Sequence, residues 1–404
     1  MRVCYVSTYP PDRAELGGSG WVDRRLLAGL RAEGHDVEVV SVTGPPGERT
    51  LPIDVEAHQD PRPAGLATTP ATRRTAPSIE LRTPGISIRS AGRLPLEVRN
   101  DPRRLVRIAT GMLISGEPYL SRKFTGFTGW ASAISLLQAR AKGRRVVTSG
   151  WPGLLLAENA GVDVAAHIAH NVETVIAQEH APRPLRMLGE VDRLRRAEQR
   201  LLAHPDRVVA LSHRDVQRLA AWGVSATPIT VPLCPVGVVR SRRPGAAPAL
   251  GFIGKAGWPP NARALAALLG PVHQRLTELD ARLDFVLAGR DTENFATHPR
   301  VRSSGIVDSV ADFYRQVDLV VVPRFGTATG ISVKVLEAAE HGVASVLPAD
   351  LAAAIDPAGP WLIAEDAVQT ADAVLRWRRG EQVPPVLTWA QDRAVSTAPL
   401  GLFG

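Results

Sequence analysis

Arg2-Val-Cys-Tyr-Val-Ser-Thr8, then Gly17-Gly-Ser-Gly20, then Trp21-Val-Asp-Arg-Arg-Leu-Leu-Ala-Gly-Leu-Arg-Ala-Glu-Gly34, then Asp36-Val-Glu-Val-Val-Ser-Val42: this run decides the fold. The first piece is a short apolar stretch stopped by Pro10-Pro11 and reads as a strand buried on both faces. The third has apolar residues at 22, 26, 27 and 30, the spacing of a helix, and closes on a glycine. The fourth is a second strand. A strand, a glycine-rich loop, a helix and a parallel strand together open a doubly wound α/β sheet.

Working outward, 44–100 is rich in Pro, Thr, Ser and Arg and reads as a long surface excursion with a few short strands. Residues 103–143 read as two helical pieces broken near Gly116-Glu117-Pro118. Strands are expected at 144–150, 164–170, 207–212 and 229–233. Helices are expected at 152–161, at 184–203 as one long charge-laced element, and at 214–223. Over 235–250 periodicity vanishes among Pro, Gly and Arg, so a linker is placed at 239–248. The α/β rhythm then restarts, with strands at 249–254, 284–290, 318–323 and 343–348 and helices at 260–276, 309–316, 332–342 and 367–378. The expectation is a first domain over 1–238, a second over 249–385, and a tail over 386–404 that returns toward the first domain. Two such units place a ligand cleft between them.

The chain has 404 residues, 45% hydrophobic and 22% charged, which suits two soluble domains. It has no run of 18 apolar residues, which argues against a transmembrane helix, and residues 1–10 do not make a signal peptide. Cys4 and Cys234 are too few for a disulfide framework or a metal cluster, so a reducing, cytoplasmic setting and no metal are expected. The Arg-rich composition fits a high-GC bacterium. Charge is uneven: 1–245 carries 34 basic and 23 acidic residues, a net +11, whereas 246–404 nets −3. Residues 101–150 alone net +7, through Arg103, Arg104, Arg107, Arg122, Lys123, Arg140, Lys142, Arg144 and Arg145. Such a segment suits an anionic acceptor or a membrane surface, or is simply a solvated face. It lacks the aromatic interleaving of a nucleic-acid site.

The strongest chemical signal is Arg324-Phe-Gly-Thr-Ala-Thr-Gly330-Ile-Ser-Val-Lys334-Val-Leu-Glu337-Ala-Ala, directly after the strand at 318–323. Gly326 and Gly330 let backbone approach a ligand and expose N–H groups at a helix start. Lys334 and Glu337 are three apart and share a helical face. A phosphate at the loop meets N–H groups and an ammonium, and a carboxylate one turn deeper suits a ribose diol. Gly17-Gly-Ser-Gly20 is not a dinucleotide fingerprint, so a dehydrogenase is poorly supported.

This segment resembles the nucleotide-sugar signature of retaining GT-B glycosyltransferases of family 4 (group 1). That signature is Glu-x7-Glu; its second acid matches Glu337, while Thr329 stands where the first would be. Further similarities run in family order: Gly17-Gly18 with Gly34-His35-Asp36-Val37, then His170-Asn171-Val172-Glu173, then Ala210-Leu-Ser-His-Arg-Asp215. After these come Gly251-Phe-Ile-Gly254 with Trp258-Pro-Pro260-Asn261, and Gly305-Ile-Val-Asp308 with Phe313-Tyr314.

The resemblance implies two Rossmann-like domains and transfer of a sugar from a nucleoside-diphosphate donor with retention. No cofactor is implied. It makes His170, Lys255 and Lys334 the catalytic candidates, with the two lysines facing the diphosphate and His170 facing the sugar or acceptor. Donor-binding candidates are Gly17, Gly18, Gly254, Arg290, Arg324, Thr329, Gly330, Ile331 and Glu337. The family's usual N-domain histidine falls one strand before His170, where this chain has Ser149-Gly150-Trp151, and the residue inheriting its task stays open. Glu173 is read as either functional or a cap on the helix that follows. Expected partners are the donor and a small-molecule, glycan or lipid-linked acceptor, neutral or anionic, with peripheral contact to a membrane and none to nucleic acid. A catalytically silent sugar-nucleotide-binding module is the rival reading, and an epimerase or phosphorylase a more distant one.

Overall fold

The computed structural model describes residues 1–12, 18–51, 85–92, 102–126, 128–237, 247–279, 281–298, 300–395 and 400–403. The first sheet has eight strands: β1 (Arg2–Ser7), β2 (Asp36–Ser41), β3 (Gly47–Leu51), β4 (Ile86–Ser90), β5 (Arg145–Ser149), β6 (Ala166–Ala169), β7 (Val208–Ala210) and β8 (Ala226–Pro228). Their order is β3-β4-β2-β1-β5-β6-β7-β8, and only the β3–β4 pair is antiparallel. The second sheet has β9 (Ala249–Ile253), β10 (Asp284–Ala288), β11 (Val301–Ser303), β12 (Leu319–Val321), β13 (Ala344–Leu347) and β14 (Leu362–Ile363). It is wholly parallel in the order β11-β10-β9-β12-β13-β14, the 3-2-1-4-5-6 order of a doubly wound sheet.

The first half carries α1 (Gly18–Ala32), α2 (Pro102–Ser115), α3 (Tyr119–Thr125), α4 (Thr128–Ala141), α5 (Trp151–Ala160), α6 (Glu173–His180), α7 (Arg183–Met187), α8 (Glu190–Leu202) and α9 (His213–Ala220). The second carries α10 (Pro259–Ala267), α11 (His273–Glu278), α12 (Val310–Arg315), α13 (Val333–Glu340), α14 (Ala349–Ile355), α15 (Ala367–Arg378) and α16 (Val386–Gln391). In β1, Val3 and Tyr5 pack with α1, while Cys4 and Val6 pack on the other face with α4 and α5. A strand buried on both sides this way reads as one apolar run. Both α1 and α13 end on the glycines the sequence offers. Gly34 donates to Arg31 O and His35 to Leu30 O. Gly342 donates to Ala339 O and Val343 to Ala338 O, the double bond of a Schellman cap.

Three expectations are corrected. The helix expected at 184–203 is two, because Gly189 turns left-handed (φ 73°) between α7 and α8. The region 103–143 holds three helices, α3 being separated from α2 by Gly116-Glu117-Pro118 and from α4 after Gly126. The strand expected at 229–233 falls earlier, at β8: the last bond to β7 is Ile229 N–H to Ala210 O at 2.9 Å, and residues 230–232 lie beyond the ladder. The helix at 260–276 runs from α10 to α11 through a π turn at Leu268–Val272 that contains Pro271. The linker expected at 239–248 falls almost wholly outside the described residues.

The halves touch at several buried points. Arg25 of α1 pairs with Glu340 of α13 at 2.8 Å, and Glu340 also accepts from Cys234 N–H at 2.6 Å. The end of the tail lies on α1: a Cβ built on Gly29 would stand 3.0 Å from Leu400 Cγ, and Phe403 meets His35 edge-on at 5.4 Å.

Candidate functional site

Strand order reverses between β1 and β5 in one sheet and between β9 and β12 in the other. The carboxyl ends flanking such switch points are where doubly wound sheets hold ligands. Here those ends face one another. A Cβ on Gly18, which starts α1, would stand 3.0 Å from Val333, which starts α13, so two helix N-termini abut. Gly330 lies at φ +67°, and a Cβ there would drive into Asn171 and stand 2.5 Å from the His170 carbonyl. Only glycine meets both demands. Gly17 lies outside the described residues.

On the second half, β9 and β10 end in Gly254 (φ 149°) and Gly289 (φ 115°), whose backbones are in contact. Lys334 Nζ donates to Asn261 Oδ1 at 2.8 Å and stands 4.4 Å from the Phe252 ring centroid. Asn261 in turn donates to the Lys255 carbonyl at 3.0 Å. Burial and the nearby Arg324 charge push the Lys334 ammonium down to about 7, against the attraction of Glu337. Glu337 is pushed up to about 7, first by burial, then by Glu340, while Arg25, Arg24 and Lys334 oppose the shift. Tyr314 Oη donates to the Lys334 carbonyl at 2.9 Å and lies 3.5 Å from Glu337 Oε2. Lys255 and Arg290 are exposed at the same strand ends, tied by the Ala256 N–H to Arg290 O bond of 2.9 Å. Arg324 lies over the Trp258 ring, 5.4 Å from its centroid. Ile331 is half-buried against the core.

On the first half, His170 ends β6. Its Nε2 is 2.7 Å from Ser149 Oγ, which donates to Asp23 Oδ1 at 2.5 Å. Tyr5 Oη donates to the same carboxylate oxygen at 2.7 Å. Ser149 has one proton and gives it to Asp23, so it accepts from His170 Nε2–H, and Nδ1 of the neutral ring is left as an acceptor. Burial lowers the His170 pKa, opposed by Asp23, and raises that of Asp23. The two positions between which the sequence could not choose, 149 and 170, are thus bonded to each other. Asp23 was not foreseen, although it sits among Leu26, Leu27 and Leu30 on the buried stripe of α1, and an acid on an apolar face is itself a signal.

Thr329 is buried at the junction of the halves. Its hydroxyl lies 3.0 Å from both Asp215 oxygens and accepts from Val172 N–H at 2.9 Å. Gly330 N–H donates to Asp215 at 2.7 Å, and Arg218 binds Asp215 at 2.8 Å and also the Ala328 carbonyl. The Thr329 hydroxyl, at the position of the signature's first acid, already has its partners within the chain. Asp215, which the sequence offered only as the end of a family-like segment, is the second residue to which sequence reading gave no place in the site. Glu173 does not cap the helix it opens. Glu198 of α8 does so, accepting from Glu173 N–H at 2.7 Å and Thr174 N–H at 3.0 Å. Burial next to Glu198 and Asp215 pushes Glu173 up to about 8. Among the described residues, no cluster of three or more His, Cys, Asp or Glu has the arrangement of a metal site, and no helix is long and apolar enough to cross a membrane.

Residues 17–234 match the family described as glycosyl transferase 4-like domain, and 247–379 match glycosyl transferases group 1. The chain belongs to the group 1 glycosyltransferases and has their GT-B fold. Among solved structures it is similar to sucrose-phosphate synthase from Thermosynechococcus elongatus, at TM-score 0.63 and 14% identity over 97% of this chain and 93% of that one. It is also similar to alpha,alpha-trehalose 6-phosphate synthase from Burkholderia multivorans (TM-score 0.56, 13% identity, 98% and 96% covered). A third similar structure is WaaG, a glycosyltransferase involved in lipopolysaccharide biosynthesis (0.52, 12%, 99% and 97%). No curated protein matches the sequence.

Proposed function

We propose that this glycosyltransferase takes its sugar from a nucleoside-diphosphate donor and transfers it with retention at the anomeric carbon. The observation that carries the reading is the α13 face: Lys334 and Glu337, one turn apart, lie behind a glycine loop at a switch point and opposite His170. The second half, 249–385, takes the donor, and the first, 1–238, the acceptor. Lys334, Lys255 and the N–H groups at the start of α13 meet the diphosphate, and stabilising that leaving group is the main electrostatic task. Glu337 accepts from the ribose hydroxyls. His170, held by Ser149 and Asp23, presents Nδ1 as an acceptor for a hydroxyl of sugar or acceptor. Ammonium groups and N–H groups then fill the role that a metal ion plays at other diphosphates. One of the similar structures is named as UDP-forming, which puts uridine donors first in the test. A cytoplasmic site of action fits the free cysteines, and small-molecule tailoring or envelope-glycan synthesis are the settings in view.

A thermal-shift screen of UDP-, GDP-, ADP- and dTDP-sugars identifies the donor. Nucleotide release with and without acceptor extracts then tests turnover, and NMR of early product reads the anomeric configuration. Acceptor-dependent release with an inverted product overturns retention. Donor binding without turnover on any acceptor favours the silent module, the reading to which the committed Thr329 hydroxyl points.

A further inference from the structure

Helix α9 is entered through Ser212-His-Arg-Asp215, a serine followed three residues later by an acid. In such a capping box the serine hydroxyl accepts from the N–H of the acid, and the acid turns back to accept from the N–H of the serine. One arm of the box is made: Ser212 Oγ accepts from Asp215 N–H at 3.3 Å. The Asp215 carboxylate, which would make the other arm, leaves its helix. It takes Gly330 N–H at 2.7 Å and the Thr329 hydroxyl at 3.0 Å, both on the second half, and keeps Arg218 at 2.8 Å. Asp215 is fully buried there. A local bond has been exchanged for one across the cleft.

The loop that receives this carboxylate has little else to shape it. Among the described residues, one hydrogen bond to 328–330 comes from the loop's own half, Ala328 N–H to Asp350 at 2.7 Å. The first half supplies the rest. Val172 N–H donates to Thr329 Oγ1 at 2.9 Å, Arg218 donates to the Ala328 carbonyl, and Asp215 takes Thr329 and Gly330. Asp350 is itself paired with Arg214 of α9 at 3.1 Å. Arg214, Asp215 and Arg218 share one side of α9, and all three reach the other half. The loop leads into α13, whose cap residue Ser332 makes no side-chain bond to the first turn. A helix start not capped by its own serine suits the arrival of an anion.

We propose that Asp215 is a positioning residue of the transfer reaction. From the half that takes the acceptor it holds the 328–330 loop, and with it the start of α13, in the shape that receives the sugar end of the donor. It does so only while the halves are closed. In an open cleft the carboxylate returns to Ser212 N–H and completes the box on α9. Two alternative partners for one carboxylate thus tie the shape of the loop to closure of the cleft. This role rests on the reading that the α13 loop takes a nucleotide sugar.

The test is amide hydrogen exchange of the full chain without ligand, read by mass spectrometry over 170–176, 212–221 and 326–334. All three should be protected in the wild type. In Asp215→Ala, exchange over 326–334 should speed up about tenfold or more, as a buried N–H loses its acceptor. The α9 peptide should stay protected, because Ser212 caps the backbone of residue 215 and not its side chain. Thr329→Val, similar in shape and without the hydroxyl, should release 170–176, and Thr329→Ser should keep it protected. Where Asp215→Ala does not fold, the Thr329 pair carries the test. Turnover is followed separately as nucleotide released from UDP-, GDP-, ADP- and dTDP-glucose with acceptor extracts. Asp215→Ala should lower kcat by about 10²-fold, the effect of a slightly misplaced reacting group, with a smaller change in donor KM. Unchanged exchange over 326–334 in folded Asp215→Ala, or loss of protection confined to α9, overturns the proposal. So does a freed loop with full kcat, or equal protection of 170–176 in Thr329→Val and Thr329→Ser. Failure of the underlying donor reading looks different: the wild type then binds none of the four donors, whatever Asp215 does to the loop.

Discussion

Two buried clusters face each other across the cleft, and each contains a tyrosine, a carboxylate and a base. In the first half, Tyr5, Ser149 and, at 3.8 Å, His170 all converge on one oxygen of Asp23. In the second half, the hydrogen bond of Lys334 goes to a neutral amide, and Tyr314 reaches Glu337 at only 3.5 Å. Burial works against charge in both. The first cluster gathers its donors on Asp23 Oδ1 and leaves Oδ2 buried without a hydrogen-bond partner. The second leaves Lys334 and Glu337 both shifted to about 7, with charge to offer a ligand. Donors converging on one carboxylate oxygen specify geometry, whereas two ionisable groups held near their titration points are arranged for a charge that arrives later.

Variants should split along that line. Lys334→Met is the harshest test: it removes a cation from the diphosphate site and should lower kcat by about 10²–10³-fold, the range for losing one charge-stabilising donor. It also removes a group whose burial is unfavourable, so the melting temperature should hold or rise. A variant whose melting temperature drops while kcat holds would reverse the roles of the two clusters. Glu337→Gln should weaken donor binding by about 1.5–3 kcal/mol, the worth of hydrogen bonds to a charged group, with folding intact. Titration calorimetry with the nucleotide reads it, and unchanged donor affinity removes Glu337 from the ribose. Asp23→Ala should show the opposite balance, a stability loss of about 1–3 kcal/mol as the buried Tyr5 and Ser149 hydroxyls lose their acceptor. Its donor affinity should be near normal, and its pH–rate profile should move because His170 is no longer steered by a carboxylate.

The smallest effect is protonic. The Glu337 pKa is raised on folding, so the native state holds the extra proton between the ordinary carboxylate range and about pH 7, and stability falls as pH rises through that window. The Lys334 pKa is lowered, so the unfolded state holds the extra proton above about pH 7, and stability rises from there toward the ordinary lysine range. Together the pair should give a shallow stability minimum near neutrality, read as melting temperature against pH, and Lys334→Met should flatten its alkaline limb. A bound diphosphate restores the ammonium, so nucleotide binding at pH 8 should take up protons. Calorimetry in two buffers of different ionisation enthalpy checks this, and a buffer-independent heat would place the anion away from Lys334.

Much of this was legible in the chain. The glycines that stop α1 and α13, the apolar runs of β1, β9 and β12, and the Lys334/Glu337 spacing are local patterns, and local patterns survive folding. What was not legible depends on contacts across long stretches of sequence. Ser149 and His170 are 21 residues apart, Asp23 and Ser149 are 126 apart, and Asp215 and Gly330 are 115 apart. Nothing near Asp215 in sequence marks it as the acceptor for a loop in the other half. The fate of the basic segment was illegible for the same reason: Glu38, which pairs with Arg140 and Arg144 as well as Arg89, arrives from β2.

The Asp215 contact also sets a rule of paired substitution. An acid at 329, the residue the family signature would place there, would bring a second carboxylate to within about hydrogen-bonding distance of Asp215 at a site closed to water, where two such groups do not both ionise. Aspartate at 215 and glutamate at 329 would then have to share one proton, at a cost in stability. Thr329→Glu, destabilising alone, should be rescued by Asp215→Ser or Asp215→Asn, and Arg218 would then be free to turn toward the new acid.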